Sequence, residues 1–532
     1  MSSRDRNNSG KRSSNKTLII ISAEFVVIAV LLVILGLGGS KKNNGSEVNA
    51  ASRNSGSETS TVQTASNDPA TANTDNSSVT DNNSVATSQP DSGSDQDSDW
   101  NDLLNKTETG DGTGTSDADA VARAREEEQE LIQHSLELHE TEVAEVIAAA
   151  DLQAAMYDYD KAVETIKAYE GYEQEESMTA AIASYEEQKA ACVKWPDNTK
   201  ISHVFFHSLI YDTSRAFGPS SSKPGGYNQY MTTVSEFNKM MESMYEKGFV
   251  LVSVHDIAKL EKQEDGTEKL VAQPIYLPEG KEPFVLSQDD VNYYLYMDND
   301  GFADKLVIGE DGLPTCMYID TDGTVSYGEY DVVPILDRFV REHPDFSYRG
   351  AKGILAVTGY EGALGYDTGL SMKMYDGMDE TEKMNKINAE REKAKAVADA
   401  LKADGWEFAS HSYTHTNMTT NSVEKLKYDT KRWKEEVEII LGPTDIYIYP
   451  FGADICDWRG YKGEKFEVLK EAGFMYYCNV DSARYWIQLK SDYFRMGRIN
   501  FDGERMNVTP EKLTDFFDVD EVYDKSRPPF KK

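Results

Sequence analysis

The chain has 532 residues, which is long for a single ordinary domain, so two or more structural units are expected. Acidic residues outnumber basic residues by 92 to 55, giving a formal net charge of -37. This balance excludes nucleic acid as a partner, because phosphate binding needs clustered lysine and arginine. The four cysteines form no CxxC pair, which excludes zinc-ribbon and thioredoxin-like sites.

The amino-terminal segment contains a candidate membrane anchor. Leu18 to Leu37 is almost entirely apolar, and about twenty helical residues span a bilayer core. Basic residues precede this run, which predicts a cytoplasmic tail over 1–17, a single transmembrane helix over 18–38 and an extracellular remainder. A cleaved signal peptide is the alternative, but no convincing small-residue cleavage site follows the run.

The segment 39–117 consists mainly of Ser, Thr, Asn, Asp and Gly, with almost no large apolar residues. Such a composition cannot bury enough surface to offset the entropy lost on ordering. We therefore expect a disordered acidic spacer that carries the following domain away from the membrane.

The segment 118–195 has apolar residues at mostly helical spacing. Within it, the run from Ala150 to Glu170 predicts a helix, a short turn at Asp158–Asp160 and a second helix, which resembles a tetratricopeptide-type hairpin. We favour a helical spacer packed on the neighbouring domain. A module that binds a protein or a cell-wall partner is the alternative.

From about residue 200 to 532, short β-rich runs alternate with amphipathic helices. This alternation predicts an α/β domain with a largely parallel sheet, and its length suits a barrel, in which chemistry lies at the carboxyl ends of the strands. The stretch 298–331 contains turn sequences at Glu310–Gly312 and Asp320–Gly323. We interpret it as an inserted acidic β-hairpin.

The strongest motif is His411–Ser412–Tyr413–Thr414–His415, directly after a predicted strand. Two histidines at i and i+4 on a helical turn face the same side and can reach one metal. A bare HxxxH is more often two surface histidines. Here the motif directly follows a predicted strand, and the chain has only eight histidines. Both observations favour a metal site over two unrelated surface histidines.

Two further motifs also follow predicted strands. Ser287–Gln288–Asp289–Asp290 places adjacent carboxylates after an apolar run, where one can bind a metal while the other stays free as a base. A solvated acidic turn is the alternative. Tyr449–Pro450–Phe451–Gly452 can form a loop that aims a backbone N–H at a reaction centre, although alone it is a weak signal.

In this order the motifs resemble those of polysaccharide deacetylases with the NodB-homology domain, which carry T/S-F-D-D, H-S/T-x-x-H and R-x-P-Y on a distorted (β/α)7-8 barrel. The resemblance covers roughly 201–501. It implies that Asp290, His411 and His415 bind a divalent metal, typically zinc. It also implies that Asp289 is the general base and that the backbone N–H of Phe451 helps to hold the oxyanion.

Three departures from the family pattern are present. Gln288 replaces the usual aromatic residue, Ile448 stands where the family has arginine, and no histidine follows His415 to serve as the general acid. The chain is similar to a circularly permuted subgroup, the poly-N-acetylglucosamine deacetylases, whose acid histidine lies on the first strand. That similarity implies that His207 is the acid. His203 shares its strand face but lies at the start of the strand.

The resemblance implies a metal-dependent enzyme that removes N-acetyl groups from a polysaccharide, either peptidoglycan or poly-N-acetylglucosamine. Together with the predicted anchor, it gives the expectation of a membrane-anchored, extracellular enzyme. The alternative is a catalytically impaired protein that binds glycan, or serves as a scaffold, on the same barrel.

Overall fold

A computed structural model describes residues 116–481 and 483–530. The predicted tail, membrane anchor and almost all of the spacer lie outside these residues. Among the described residues, no helix combines the length and the apolar character needed to cross a membrane. The chain divides into two compact units, one of which contains Thr141–Lys532. The other contains Leu32–Glu140, of which only the start of one long helix is described.

The sixteen strands of the described residues are β1 (Val193–Lys194), β2 (Ser202–Phe206), β3 (Phe249–Leu251), β4 (Ala258–Lys262), β5 (Glu268–Ala272), β6 (Tyr276–Leu277), β7 (Glu282–Gln288), β8 (Lys305–Ile308), β9 (Pro314–Ile319), β10 (Val325–Gly328), β11 (Ile354–Val357), β12 (Glu407–Ser410), β13 (Ile446–Ile448), β14 (Tyr476–Val480), β15 (Ile487–Leu489) and β16 (Phe494–Asn500). The α-helices are α1 (Ser116–Ala155), α2 (Tyr159–Lys167), α3 (Glu176–Ala191), α4 (Thr213–Ala216), α5 (Pro224–Tyr230), α6 (Val234–Glu246), α7 (Val254–Ile257), α8 (Val332–Glu342), α9 (Glu380–Ala403), α10 (Val423–Trp433), α11 (Ile439–Leu441), α12 (Glu464–Glu471), α13 (Gly503–Val508) and α14 (Val519–Val522).

Seven parallel strands close into a barrel, in the order β2, β7, β11, β12, β13, β14, β16 and back to β2. β3 pairs in parallel with the first residues of β7, and β15 pairs antiparallel with β16. The predicted parallel barrel is therefore present, with seven strands. The first and last barrel strands are neighbours, because Val204 of β2 pairs with Ile499 of β16.

Side chains alternate between the two faces of each strand. One set of buried residues, which includes Val285, Ala356 and Cys478, forms the barrel interior. The intervening residues, such as Leu286 and Leu355, pack in a second core with the surrounding helices. This alternation determines which polar side chains at the strand ends point into the barrel.

The stretch predicted as a single inserted hairpin is a three-stranded antiparallel sheet of β8, β9 and β10. Both predicted turns are present, and Gly312 and Gly323 adopt φ angles of 81° and 83°. A single hairpin needs only one of these turns, and the second turn adds the third strand.

The predicted helix, turn and helix correspond to α1, which ends at Ala155, and α2, which begins at Tyr159. Their buried side chains, together with those of α3, join the core at the amino-terminal end of the barrel. The Tyr157 hydroxyl also donates a hydrogen bond to the Asp345 carbonyl at 2.7 Å. Earlier along α1, Leu131, Ile132 and Leu136 are exposed. The predicted protein or cell-wall partner of this region stays a prediction.

His255 of α7 joins two strands at the amino-terminal end of the barrel. Its Nδ1 lies 2.5 Å from the Glu407 carboxylate, at the start of β12, and its Nε2 lies 3.0 Å from Asp445, just before β13. Burial alone lowers the pKa of His255, but the hydrogen bonds to Asp445 and Glu407 outweigh burial and raise it to about 10. The imidazole is therefore charged at neutral pH.

This ion triad predicts a pH-dependent stability. A folded pKa of about 10, above the ordinary 6.5, means that His255 contributes its full stabilisation below pH 6.5. That contribution falls as the pH rises towards 10 and is lost above it. We expect the urea midpoint to fall more steeply over this pH range in the wild type than in His255→Gln. Parallel curves for the two proteins would contradict the assignment.

Candidate active site

Asp290, His411 and His415 meet at the carboxyl end of the barrel. Asp290 follows β7 by two residues, and His411 directly follows β12. One ligand atom from each of the three side chains lies within 4.8 Å of the other two. His415 Nε2 lies 3.7 Å from an Asp290 carboxylate oxygen.

The segment from His411 to His415 is a loop, so the expected helical turn is wrong. Ser412 and His415 have positive φ angles of 60° and 45°, which reverse the chain and bring the two rings to a centroid separation of 5.0 Å. The carboxylate of Asp429 fixes this loop by accepting hydrogen bonds from the backbone N–H groups of Tyr413 and Thr414 at 2.7 and 2.9 Å.

The His411 ring is oriented for metal binding. Its Nδ1–H donates a 2.9 Å hydrogen bond to the carbonyl oxygen of Ile448, which leaves Nε2 as the unprotonated nitrogen. Burial lowers the pKa of His411 to about 4, even though Asp289 and Asp290 act in the opposite direction. The imidazole is therefore neutral at pH 7, as a metal ligand must be.

Tyr294 holds the carboxylate of Asp290. Its hydroxyl donates a 2.6 Å hydrogen bond to Asp290 Oδ1 and lies 2.9 Å from the Thr358 hydroxyl. The Tyr294 ring stacks on Tyr296 and Tyr360 at centroid distances of 5.7 and 5.2 Å. Sequence reasoning did not identify Tyr294 as the hydrogen-bond partner of Asp290, although its position four residues later was visible.

Asp289 is paired with Arg498 of β16. The guanidinium donates to both carboxylate oxygens, at 2.6 and 2.9 Å, and both side chains are buried. Burial acts to raise the pKa of Asp289, but Arg498, His411 and His207 together hold it well below its ordinary value. Asp289 is thus ionised at neutral pH, which a general base requires.

A second polar layer lies beneath this ion pair in the barrel. The Ser287 hydroxyl accepts a 3.1 Å hydrogen bond from Arg498 and lies 2.9 Å from His203 Nε2. His203 is fully buried, and burial, with the charge of Arg498, lowers its pKa well below the usual value. A neutral histidine at this depth supports Arg498 through Ser287.

His207 follows β2 and points to the same end of the barrel. Its Nδ1–H donates a 3.1 Å hydrogen bond to the Tyr230 carbonyl oxygen. Its charge is close enough to lower the pKa values of both Asp289 and Asp290. It also acts on Asp502, whose pKa burial raises despite hydrogen bonds from Arg505 and Asn500.

Phe451 lies in the loop after β13 with φ 58° and ψ 12°, a left-handed conformation that is strained for a non-glycine residue. Its ring is 68% exposed and meets the His415 ring edge-on at a centroid distance of 4.4 Å. Asp290 also has a positive φ, of 58°. Strained residues of this kind concentrate at active sites.

Comparison with known families gives one match. Residues 377–477, which include His411, His415 and the loop of Phe451, match the family model described as polysaccharide deacetylase. This chain carries a polysaccharide deacetylase domain. The domain is therefore a hydrolase that cleaves the carbon–nitrogen bond of an N-acetyl group. A comparison with curated proteins found no match.

Among solved structures, the deacetylase domain is similar to the Streptococcus pyogenes deacetylase PplD in complex with acetate, with 12% identity over 61% of this chain and 98% of that one and a TM-score of 0.31. It is also similar to the BpsB deacetylase domain from Bordetella bronchiseptica, with 12% identity over 58% of this chain and 99% of that one and a TM-score of 0.30.

The deacetylase domain accommodates its departures from the family motifs. The Gln288 side chain points away from the site and donates a 2.8 Å hydrogen bond to Asp331. Ile448 contributes only its carbonyl oxygen, and the guanidinium beside Asp289 comes from Arg498 instead. His207 brings an imidazole to the site from the first barrel strand.

The three candidate ligands of the deacetylase domain fit a divalent metal. A tetrahedral site with bonds of about 2.0–2.1 Å needs ligand atoms about 3.3 Å apart, and separations of up to 4.8 Å are within side-chain movement of that geometry. One carboxylate and two imidazoles, with His411 held by a backbone carbonyl, form the kind of donor set that zinc and similar ions prefer.

The ion pair predicts a positioning role for Arg498. Replacing Arg498 with Met leaves Asp289 buried without its charge partner, and loss of such a supporting group typically costs about 10–100-fold in activity. We expect kcat to fall by that factor, with KM nearly unchanged. Arg498→Lys, which keeps the charge but not the two-pronged geometry, should recover part of the loss. Equal activity of Arg498→Met and the wild type would contradict the assignment.

Proposed function

We propose that this protein is a metal-dependent deacetylase that removes N-acetyl groups from N-acetylhexosamine units of a polysaccharide, either cell-wall peptidoglycan or poly-N-acetylglucosamine. The observation that carries the proposal is the convergence of two groups at one end of the barrel. These are the Asp290, His411 and His415 set and the Asp289–Arg498 ion pair, with His207 acting on both carboxylates.

Asp290, His411 and His415 would hold the metal, with zinc as the first choice. When bound, the metal supplies Lewis-acid polarisation of the acetamide carbonyl and lowers the pKa of a water. Tyr294 keeps the Asp290 carboxylate in place, and the Ile448 carbonyl keeps His411 in the correct tautomer. The ligands are therefore oriented before substrate arrives.

Asp289 is the proposed general base. It takes a proton from the water that adds to the acetamide carbonyl carbon. Arg498 keeps Asp289 ionised and fixes the plane of its carboxylate. The backbone N–H of Phe451 is proposed to stabilise the oxygen that gains negative charge, since backbone donors fixed in a strained loop need no reorganisation during the reaction.

His207 is the proposed general acid. Its protonated imidazole, held at Nδ1 by the Tyr230 carbonyl, delivers a proton from Nε2 to the departing amine as the carbon–nitrogen bond breaks. The hydroxyl of water thus ends on the acyl carbon as acetic acid, and the nitrogen gains one proton as the carbon–nitrogen bond breaks. Release of the proton from Asp289 and uptake of a proton by His207 restore both groups.

The rival candidate is a glycan-binding or scaffold protein on an inactive barrel. This alternative is considered because the family motifs are altered, above all by the missing arginine and the missing late histidine. Arg498 and His207 bring the same two chemical groups from other strands, which supports the enzyme over the rival.

The decisive experiment measures acetate release by the purified full chain, after loading with zinc, from N-acetylglucosamine hexamer, peptidoglycan and poly-N-acetylglucosamine. We expect release from at least one of these glycans, and none from Asp289→Asn loaded in the same way. Stoichiometric metal without acetate from any of the three glycans would favour the rival. Equal release from N-acetylated peptides would indicate a general amide hydrolase.

We also propose that the amino-terminal apolar run anchors the protein in the cell membrane with the deacetylase domain outside. The basic residues before Leu18 support this orientation. Protease added to intact cells should cleave within 39–117 and release the domain, while an epitope placed within 1–17 stays protected. Protection of the spacer would show that the orientation is wrong.

A further inference from the structure

A cavity of about 500 Å³ lies between α2, α3 and the amino-terminal end of the barrel. His255, which lines it, bonds to Glu407, the first residue of β12, whereas His411 of the candidate active site follows the last residue of that strand. Glu407, to which His255 bonds, and His411 are therefore four residues apart along β12, or about 13 Å. The cavity belongs to the opposite end of the barrel and plays no part in the proposed reaction.

Four tyrosines give the cavity aromatic walls. Tyr157 and Tyr348 stack at a centroid distance of 6.4 Å and are almost fully buried, so they form a rigid wall. Tyr276 of β6 is 48% exposed and offers its ring to solvent. An exposed ring next to fixed aromatic walls suits a ligand with apolar faces and polar edges.

The charged groups around the cavity nearly cancel, with four positive against five negative side chains. Lys189 pairs with Asp160, and Arg349 lies 3.8 Å from Asp158. The charged His255 sits between Glu407 and Asp445, and Asp256 and Lys259 add one charge of each sign. A net charge this small gives little attraction for a strongly anionic or cationic ligand, yet the same side chains provide many hydrogen-bonding groups.

Aromatic faces, hydrogen-bonding groups of small net charge and this volume together match the chemistry of a neutral sugar. The ring C–H faces of a sugar pack on aromatic side chains, while its hydroxyl and acetamide groups bond to fixed polar groups. A cavity of about 500 Å³ lies within the usual range for small-ligand sites.

We propose that this cavity is an accessory glycan site that binds a neutral N-acetylhexosamine oligosaccharide, separate from the site of deacetylation. The proposal goes beyond the proposed function and does not depend on catalysis. Binding of a second segment of the same polymer raises the effective concentration of substrate at the barrel mouth, because linked sites act together. The helical region then contributes to glycan binding as well as to packing.

The test uses the full chain carrying Asp289→Asn, so that no turnover occurs, and N-acetylglucosamine hexamer as the probe. Titration calorimetry should detect two binding sites per chain. Adding Tyr276→Ala or Lys259→Ala should weaken one of them by roughly three- to tenfold, the range that loss of one such contact gives. Tyr428→Ala, which removes a similarly exposed tyrosine from α10, is the matched control and should change neither site.

Identical binding by Tyr276→Ala, Lys259→Ala and Tyr428→Ala would overturn the accessory site. Acetate release from the hexamer by the chain without the Asp289 substitution is a separate readout. If no acetate is released but two binding sites are present, the proposed function alone is refuted. If acetate is released but only one binding site is found, the accessory site alone is refuted.

Discussion

Replacing His411 with Ala is expected to abolish metal binding and, with it, measurable deacetylation. The change leaves Asp290 and His415 as the remaining protein ligands, and two such ligands rarely hold zinc well. A bound metal is expected to lower the activation free energy of the reaction by several kcal/mol. Because each 1.4 kcal/mol corresponds to about tenfold in rate, turnover should fall at least about a thousandfold. Elemental analysis and acetate release measure the two effects.

His134→Ala is the control, because His134 is exposed on α1, far along the chain from the motif residues. It should retain full metal and full activity. Wild-type protein treated with a chelator should behave as His411→Ala does, and added zinc should restore the wild type but not the variant. Full metal occupancy in His411→Ala would refute the ligand assignment.

The barrel and the position of its site were predictable because both follow from short-range patterns. Apolar strands alternate with amphipathic helices, and polar residues such as Asp289 and His411 stand directly after apolar runs. Parallel strands place such residues at one end of the barrel, whatever their distance in sequence. The meeting of Asp290, His411 and His415 could therefore be predicted without knowledge of any loop conformation.

The conformation of the HxxxH segment was not predictable in this way. Spacing of i and i+4 is compatible with a helix, but here the residues meet through the positive φ angles of Ser412 and His415. Asp429 stabilises that loop from α10, fourteen residues beyond His415. A long-range hydrogen bond of this kind leaves no periodic trace in the sequence.

Arg498 is the clearest omission. It lies 209 residues from Asp289, and only closure of the barrel brings the two side chains together. One signal was present, since Arg498 is one of two arginines in β16 and shares the face of the buried Met496. A buried arginine needs a carboxylate partner, and the sequence alone offered many candidates for it.

Replacing His207 with Ala should cut turnover by about 10²–10⁴-fold while leaving the metal bound, because a general acid contributes that factor and His207 is not among the candidate ligands. His203→Gln should cost much less, since His203 is buried one layer below and contacts Ser287. Near-normal turnover in His207→Ala would shift attention to Asp502, whose pKa is raised by burial at the same end of the barrel.

A change of leaving group separates a true acid from a residue that merely shapes the site. Protonation of the departing nitrogen matters most for a basic sugar amine and much less for a weakly basic arylamine. The His207→Ala defect should therefore be large on N-acetylglucosamine hexamer and small on an activated N-acetylarylamine. A defect of equal size on both substrates would mean that His207 only positions its neighbours. In that case the proton comes from elsewhere, and the Tyr230 carbonyl that holds Nδ1 orients a structural rather than a catalytic imidazole.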